Sequence, residues 1–180
     1  MVAQARSLPG LPILPQALDA SPWLLNCANG VLDLRTGALT PPSRDDYLTR
    51  CLAVPYDPQA QAPTWLAFLW RIMGGTVTPD QEGDSMAVLE NRVEADARAG
   101  RLIGFLQRAV GYALSGDMAE ECLFLLHGSG RNGKSKFLST IQTMLGPYAK
   151  SADMRSFLMQ DRDTVRNDLA DLFGTRLVCA

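Results

Sequence analysis

Histidine is nearly missing from this sequence, with His127 alone, and the four cysteines Cys27, Cys51, Cys122 and Cys179 stand far apart without a Cys-x-x-Cys pair. That spacing suggests neither a zinc-ligand cluster nor a disulfide framework, so reduced thiols in a cytoplasmic setting are the expectation. Lysine is almost as scarce: of 17 basic residues only Lys134, Lys136 and Lys150 are lysines, which makes the position of each informative. No run of about 18 apolar residues, the length needed to cross a bilayer, is present. Pro9, Pro12 and Pro15 break up the apolar stretch that an export signal would need. A net charge of −2 provides no long-range field for a polyanion, so any contact with nucleic acid must come from a local patch or from assembly of several copies.

What is present describes a folded chain. The hydrophobic share is 47% and the charged share 20%, close to soluble globular proteins and far from a disordered composition. At 180 residues the chain is long enough for one domain or two small ones. A proline-rich lead-in over residues 1–20 gives way to Trp23–Cys27 and Val31–Leu34, which flank a turn at Asn29-Gly30. A second turn at Thr36-Gly37 precedes Ala38–Thr40, and together these predict a small β-meander. Tyr47–Val54 could add one short strand. From Thr64, a potential N-cap, Trp65, Phe68, Leu69, Ile72 and Met73 recur at helical spacing up to the stop at Gly74-Gly75. Met86, Leu89, Val93 and Ala97 hint at a more solvated helix. Leu102, Phe105, Leu106, Ala109, Val110 and Ala113 line one face of another, closed by Gly116.

The pattern changes after Asp117. Cys122–Leu126 is a continuous apolar run without alternation, the signature of a strand buried on both faces of a parallel sheet. Gly128-Ser129-Gly130-Arg131-Asn132-Gly133-Lys134-Ser135 follows, and Phe137, Leu138, Ile141, Met144 and Leu145 then mark a helix that stops at Gly146-Pro147. Strand, glycine loop and helix in this order form the P-loop arrangement. Glycines let successive backbone N–H groups turn inward toward phosphate oxygens, the helix N-terminus adds positive potential, Lys134 reaches the β- and γ-phosphates, and the Ser135 hydroxyl is placed for Mg²⁺. A glycine-rich connecting turn would leave Lys134 unexplained. ATP with Mg²⁺ is therefore the expected ligand of Gly128 to Ser135, and Lys134 the expected catalytic residue. Farther on, Val165, Leu169 and Leu172 suggest a short helix, and Arg176–Ala180 a second buried strand. His127 reads as a packed or surface residue, Lys136 as a solvated helix position, and Asp161, Asp163, Asp168 and Asp171 as surface acids. Trp23, Trp65 and Trp70 read as core residues rather than a base-stacking platform.

The words around the loop narrow the choice of family. Trp23–Asn26, Asn29–Leu34, Tyr47–Thr49 and Leu106–Asp117 resemble the N-terminal domain of phage and plasmid primase proteins. Leu123–Ser135 is similar to that family's Walker A region, and Asp171–Val178 continues the likeness. The resemblance implies an α/β chain in three parts: the lead-in, a mainly helical module with its β-meander over residues 21–117, and an AAA+-like, superfamily 3 helicase parallel-sheet core over 118–180. It further implies an ATP-driven DNA helicase of mobile-element replication that works as a homo-oligomer, usually a hexameric ring, with DNA as partner and no membrane. In relatives the strand resembling Arg176–Ala180 leads to the Walker B acids, so the expectation is an ATP-binding portion that lacks them and hydrolyses little. The alternative is a non-catalytic folding or oligomerisation module. A small-molecule kinase on the same loop is disfavoured because no acceptor site is evident.

Overall fold

Short, mainly apolar segments joined by two turns fold the front of the chain into an antiparallel meander of β1 (Leu24–Cys27), β2 (Gly30–Asp33) and β3 (Leu39–Thr40). The computed structural model describes residues 13–76, 86–157 and 171–180. Leu25 pairs with Leu32 and Cys27 with Gly30, so the first turn is Ala28-Asn29, one residue earlier than the sequence suggests. Asn29 supplies the reason: its Nδ2 donates to Tyr56 O at 2.9 Å and its Oδ1 accepts from Tyr56 N at 2.8 Å, which anchors it at the loop tip. Beyond β2, the Asp33 carboxylate accepts from Arg35 N at 2.8 Å and Gly37 N donates to Asp33 O at 2.7 Å, closing the expected second turn. Leu25, Cys27, Val31 and Leu32 are buried.

The segment from Tyr47 to Val54 does not form the extra strand. Leu52 N donates to Asn26 O and Ala28 N to Val54 O, which buries Leu52 beside β1. A left-handed Tyr47 at one end and Pro55 at the other restrict the backbone to these two bonds rather than a regular ladder.

Three α-helices follow among the described residues. α1 (Pro63–Ile72) starts one residue before Thr64, and Ala62 is its N-cap without a side-chain bond. Pro63 sets this boundary, because the first helical position needs no N–H and suits proline's fixed φ. The helix ends at the expected glycines, with Gly75 N donating to Trp70 O at 3.0 Å. α2 (Met86–Ser115) is one 30-residue helix where the sequence suggested two. Gly100 and Gly104 lie inside it, since an isolated glycine lowers helix stability by only about 1 kcal/mol. α3 (Lys134–Leu145) buries Phe137, Ile141 and Leu145, each four residues apart, while Met144 of the expected face is 41% exposed.

The parallel sheet is smaller than expected. It consists of β4 (Ala149–Ser151), which sequence patterning missed, and β5 (Leu177–Cys179), which falls where a strand was expected but is half-exposed rather than buried. Cys122–Leu126 is not a strand. Leu123 and Leu125 are more than four-fifths exposed, and among the described residues the parallel sheet consists of β4 and β5 alone. The lead-in prolines Pro9 and Pro12 and the expected helix at Val165 and Leu169 lie outside the described residues. No helix among those residues is long and apolar enough to cross a membrane.

Two compact units result. The first gathers Met1–Tyr56, Leu114–Glu121 and Leu138–Ala180; the second gathers Asp57–Ala113 and Cys122–Phe137. Inside the first unit, Arg176 and Tyr148 tie distant segments together. Arg176 donates to Leu114 O and Leu24 O, both at 2.6 Å, and its guanidinium stacks 4.8 Å from the Tyr148 ring. The Tyr148 hydroxyl donates to Arg50 O at 3.0 Å and accepts from Asn26 N at 3.4 Å. Burial pushes the Tyr148 hydroxyl above its ordinary pKa despite the opposing pull of its backbone hydrogen bond and of Arg176.

Burial also raises the thiols of Cys27, helped there by Cys51, and of Cys179. Each group therefore has a folded pKa above its unfolded one, so its stabilising contribution is complete below the ordinary values of 9.0 for Cys and 10.0 for Tyr. That contribution is lost as pH rises through the folded values. Chemical denaturation should give a midpoint that is flat from about pH 7 to 8.5 and falls above about pH 9, and Tyr148→Phe should shrink the most alkaline part of the fall.

Candidate functional site

The glycine loop expected to hold phosphate lies in the second unit and runs directly into the first turn of α3. Phe137 N donates to Gly133 O at 2.9 Å, which makes Gly133 the residue on which the helix starts. Arg131 and Gly133 have φ of +62° and +85°, and Asn132 between them is not left-handed. Backbone that alternates in hand from one residue to the next turns its N–H groups toward one side, the geometry of an anion-binding concavity. A left-handed arginine costs on the order of 1–3 kcal/mol, a strain tolerated where the surroundings fix the loop.

Part of that fixing comes from α1. A Cβ added to Gly133 would lie 2.8 Å from Ile72 Cγ2 and 3.3 Å from Phe68 Cζ, so the loop rests directly on this helix. Trp65 stacks on Phe68 at 5.3 Å and on Phe137 at 5.8 Å. Both neighbours are rings of the protein itself, so Trp65 packs within the second unit.

Lys134 is turned back over the loop. Its Nζ donates to Gly128 O at 2.9 Å, to Asn132 Oδ1 at 2.8 Å and, in a longer contact, to Ser129 O at 3.4 Å. The three oxygens are neutral. Hydrogen bonding therefore satisfies the three donors of the ammonium group without cancelling its charge, unlike an ion pair with Asp or Glu. Ser135 is exposed in the first turn of α3.

His127 is exposed. Asp171 is exposed in the first unit, and Asp161, Asp163 and Asp168 lie outside the described residues. No cluster of His, Cys, Asp or Glu able to hold a metal occurs among the described residues. Sequence patterning did not anticipate the Gly133 seat on Phe68 and Ile72. Two helical apolar residues give no signal of which loop will press against them.

Comparison with known proteins bears on both ends of the chain. Residues 1–74 match the family described as D5 N terminal like. The chain is also similar to "Putative helicase L207/L206" of Acanthamoeba polyphaga mimivirus, 25% identical over 162 residues that cover 88% of this chain. The chain spans about 15% of the length of that viral protein. No solved structure matches.

Gly133 can be tested directly. Gly133→Ala should lower the stability of the second unit by about 1–3 kcal/mol in denaturant titration, through both the left-handed φ and the clash with Ile72. Adding Ile72→Ala should not restore it fully, because the φ strain survives removal of the clash.

Proposed function

We propose that Gly128, Ser129, Gly130, Arg131, Asn132, Gly133, Lys134 and Ser135 form an ATP site and that this chain is the ATP-binding portion of a primase-helicase that unwinds DNA. The observation that carries the reading is the uncancelled ammonium of Lys134, held by neutral oxygens across a loop of alternating hand at the start of a helix. Three sources of positive potential in this stretch favour a polyphosphate: the ammonium group, the loop amides and the helix terminus. The D5 N terminal like match and the likeness to a viral protein named as a helicase support the wider assignment.

The residues fit the expected ligand. Gly128 and Gly133 leave room where a Cβ would collide; in this reading Lys134 offers a charge to the outer phosphates and the exposed Ser135 hydroxyl, in the first turn of α3, would hold Mg²⁺. Bound Mg²⁺ supplies charge neutralisation of the phosphate oxygens. The loop amides orient the phosphate chain, and Lys134 draws charge toward its terminal oxygens. Translocation on DNA and assembly into a ring, hexameric in this reading, belong to the whole protein.

Calorimetric titration with Mg-ATP tests the site. The unmodified chain should bind, and Lys134→Ala should weaken binding at least about ten-fold, since a charge-assisted hydrogen bond to phosphate is lost. Equal binding by the two would reject the assignment.

A second reading, a non-catalytic folding or oligomerisation module of a replication protein, draws on the exposed Leu123, Phe124 and Leu125. Neighbouring apolar side chains in solvent are a feature of association surfaces. On this reading sedimentation velocity without nucleotide gives an assembled species that Leu123→Ser with Leu125→Ser disperses, and titration gives no nucleotide affinity. On the ATP-site reading affinity is present whatever the assembly state.

A further inference from the structure

We infer that Asn132 is the positioning residue of Lys134: its side-chain oxygen holds the ammonium group against the loop and yields its place to a phosphate oxygen when nucleotide binds. The inference rests on the ATP-site reading for its second half only. The holding contact is a property of the chain alone.

The reasoning starts from the three acceptors around Lys134 Nζ. Gly128 O and Ser129 O belong to the main chain and can leave only if the loop backbone moves, whereas Asn132 Oδ1, at 2.8 Å the shortest of the three contacts, leaves by rotation of one side chain. An incoming phosphate oxygen that needs a donor from Lys134 will therefore take the place of Asn132 rather than unfold the loop. Until then the ammonium has one position instead of the many open to a flexible four-carbon stem, which lowers the ordering entropy that binding must overcome.

The same carboxamide accounts for Gly128. A Cβ built there would lie 2.3 Å from Asn132 Nδ2, so the amide lies over a backbone position without a side chain, with Oδ1 toward the ammonium. The opposite amide orientation would set N–H donors against N–H donors. Gly128, Asn132 and Lys134 thus act together: the glycine admits the amide, and the amide places the lysine. A residue whose only task was to shape the turn would not need an acceptor aimed at Lys134. In an Asx turn its oxygen would instead face the backbone N–H two residues on.

The scarcity of lysine makes a direct test practical. Amine labelling followed by mass spectrometry reads Lys134, Lys136 and Lys150 separately in one chain, without nucleotide. Relative to the other two, Lys134 should label roughly five-fold faster in Asn132→Ala, where its side-chain acceptor is gone, and no faster than the unmodified chain in Asn132→Asp, which keeps an acceptor there. A misfolded variant would raise all three rates together, which separates loss of fold from loss of the contact. Equal relative labelling of Lys134 in all three proteins would overturn the inference.

Mg-ADP titration examines the second half. Asn132→Ala should bind about three- to ten-fold more weakly, and Asn132→Asp more weakly still, because its carboxylate both holds the lysine more firmly and repels phosphate. Binding by Asn132→Ala equal to that of the unmodified chain would overturn the exchange of partners. If the unmodified chain bound no Mg-ADP, the ATP-site reading would fall while the labelling order still decided whether Asn132 holds Lys134.

Discussion

A cation held by neutral oxygens keeps its charge, and this one electrostatic fact gives the loop its character. Lys134 meets two main-chain carbonyls and one carboxamide, so its donors are satisfied while its field remains available to an anion. The backbone has to turn sharply to bring Gly128 O back within reach of a side chain six residues later. That requirement links the charge to the left-handed residues Arg131 and Gly133, and Gly133 in turn to the surface of α1 that receives it. Sequence, backbone strain and helix packing meet at one residue.

The first unit uses the same chemistry for a different end. Arg176 and Arg50 also donate to carbonyls, Arg176 to Leu114 O and Leu24 O, and Arg50 to Phe173 O and, in a second bond, Gly174 O. Here the acceptors come from segments far apart in sequence, and Arg176 is stacked on Tyr148 and half-buried. Guanidinium groups with several fixed donors suit that task, because one side chain can satisfy the carbonyls at two chain ends at once. Burial lowers the pKa of Arg176, though Tyr148 and Asp19 oppose the shift, and the planar cation remains charged at ordinary pH. The contrast with Lys134 is one of reach: the arginines connect segments, and the lysine folds back on its own loop.

That difference in reach also explains what could be read from the sequence. The meander, the helix ending at Gly74-Gly75, the face of α3 and the position of β5 were legible, because each depends on spacing and turn residues within a few positions. The finer errors have local causes as well. Asn29 anchors to Tyr56 and shifts the first turn by one residue, while Pro63 displaces Thr64 as the helix start. The join of two expected helices into α2 shows that a glycine within a helical pattern need not be a stop. β4 left no trace because Ala149–Ser151 has no alternation; it is a strand only through its parallel partner β5. Of the candidate loop, the helix start was legible, whereas the fold-back of Lys134 onto Asn132 and the Gly133 seat needed coordinates.

Cys122–Leu126 tests that explanation from the opposite side. Its unbroken apolar character is a statement about neighbours on both faces, and strand formation depends on pairing more than on intrinsic preference. In this segment Phe124 meets the Phe105 ring edge-on at 6.0 Å, no strand forms, and Leu123 and Leu125 stay exposed. The loop that follows nevertheless keeps its turns, because the bonds of Lys134 span only two to six residues and the start of α3 lies within the same stretch. Contacts of short span form without the loop-closure entropy that sheet pairing requires. The shape of this loop is therefore encoded nearby, while strand formation in the segment before it depends on pairing, and the two features can be separated in one chain without contradiction.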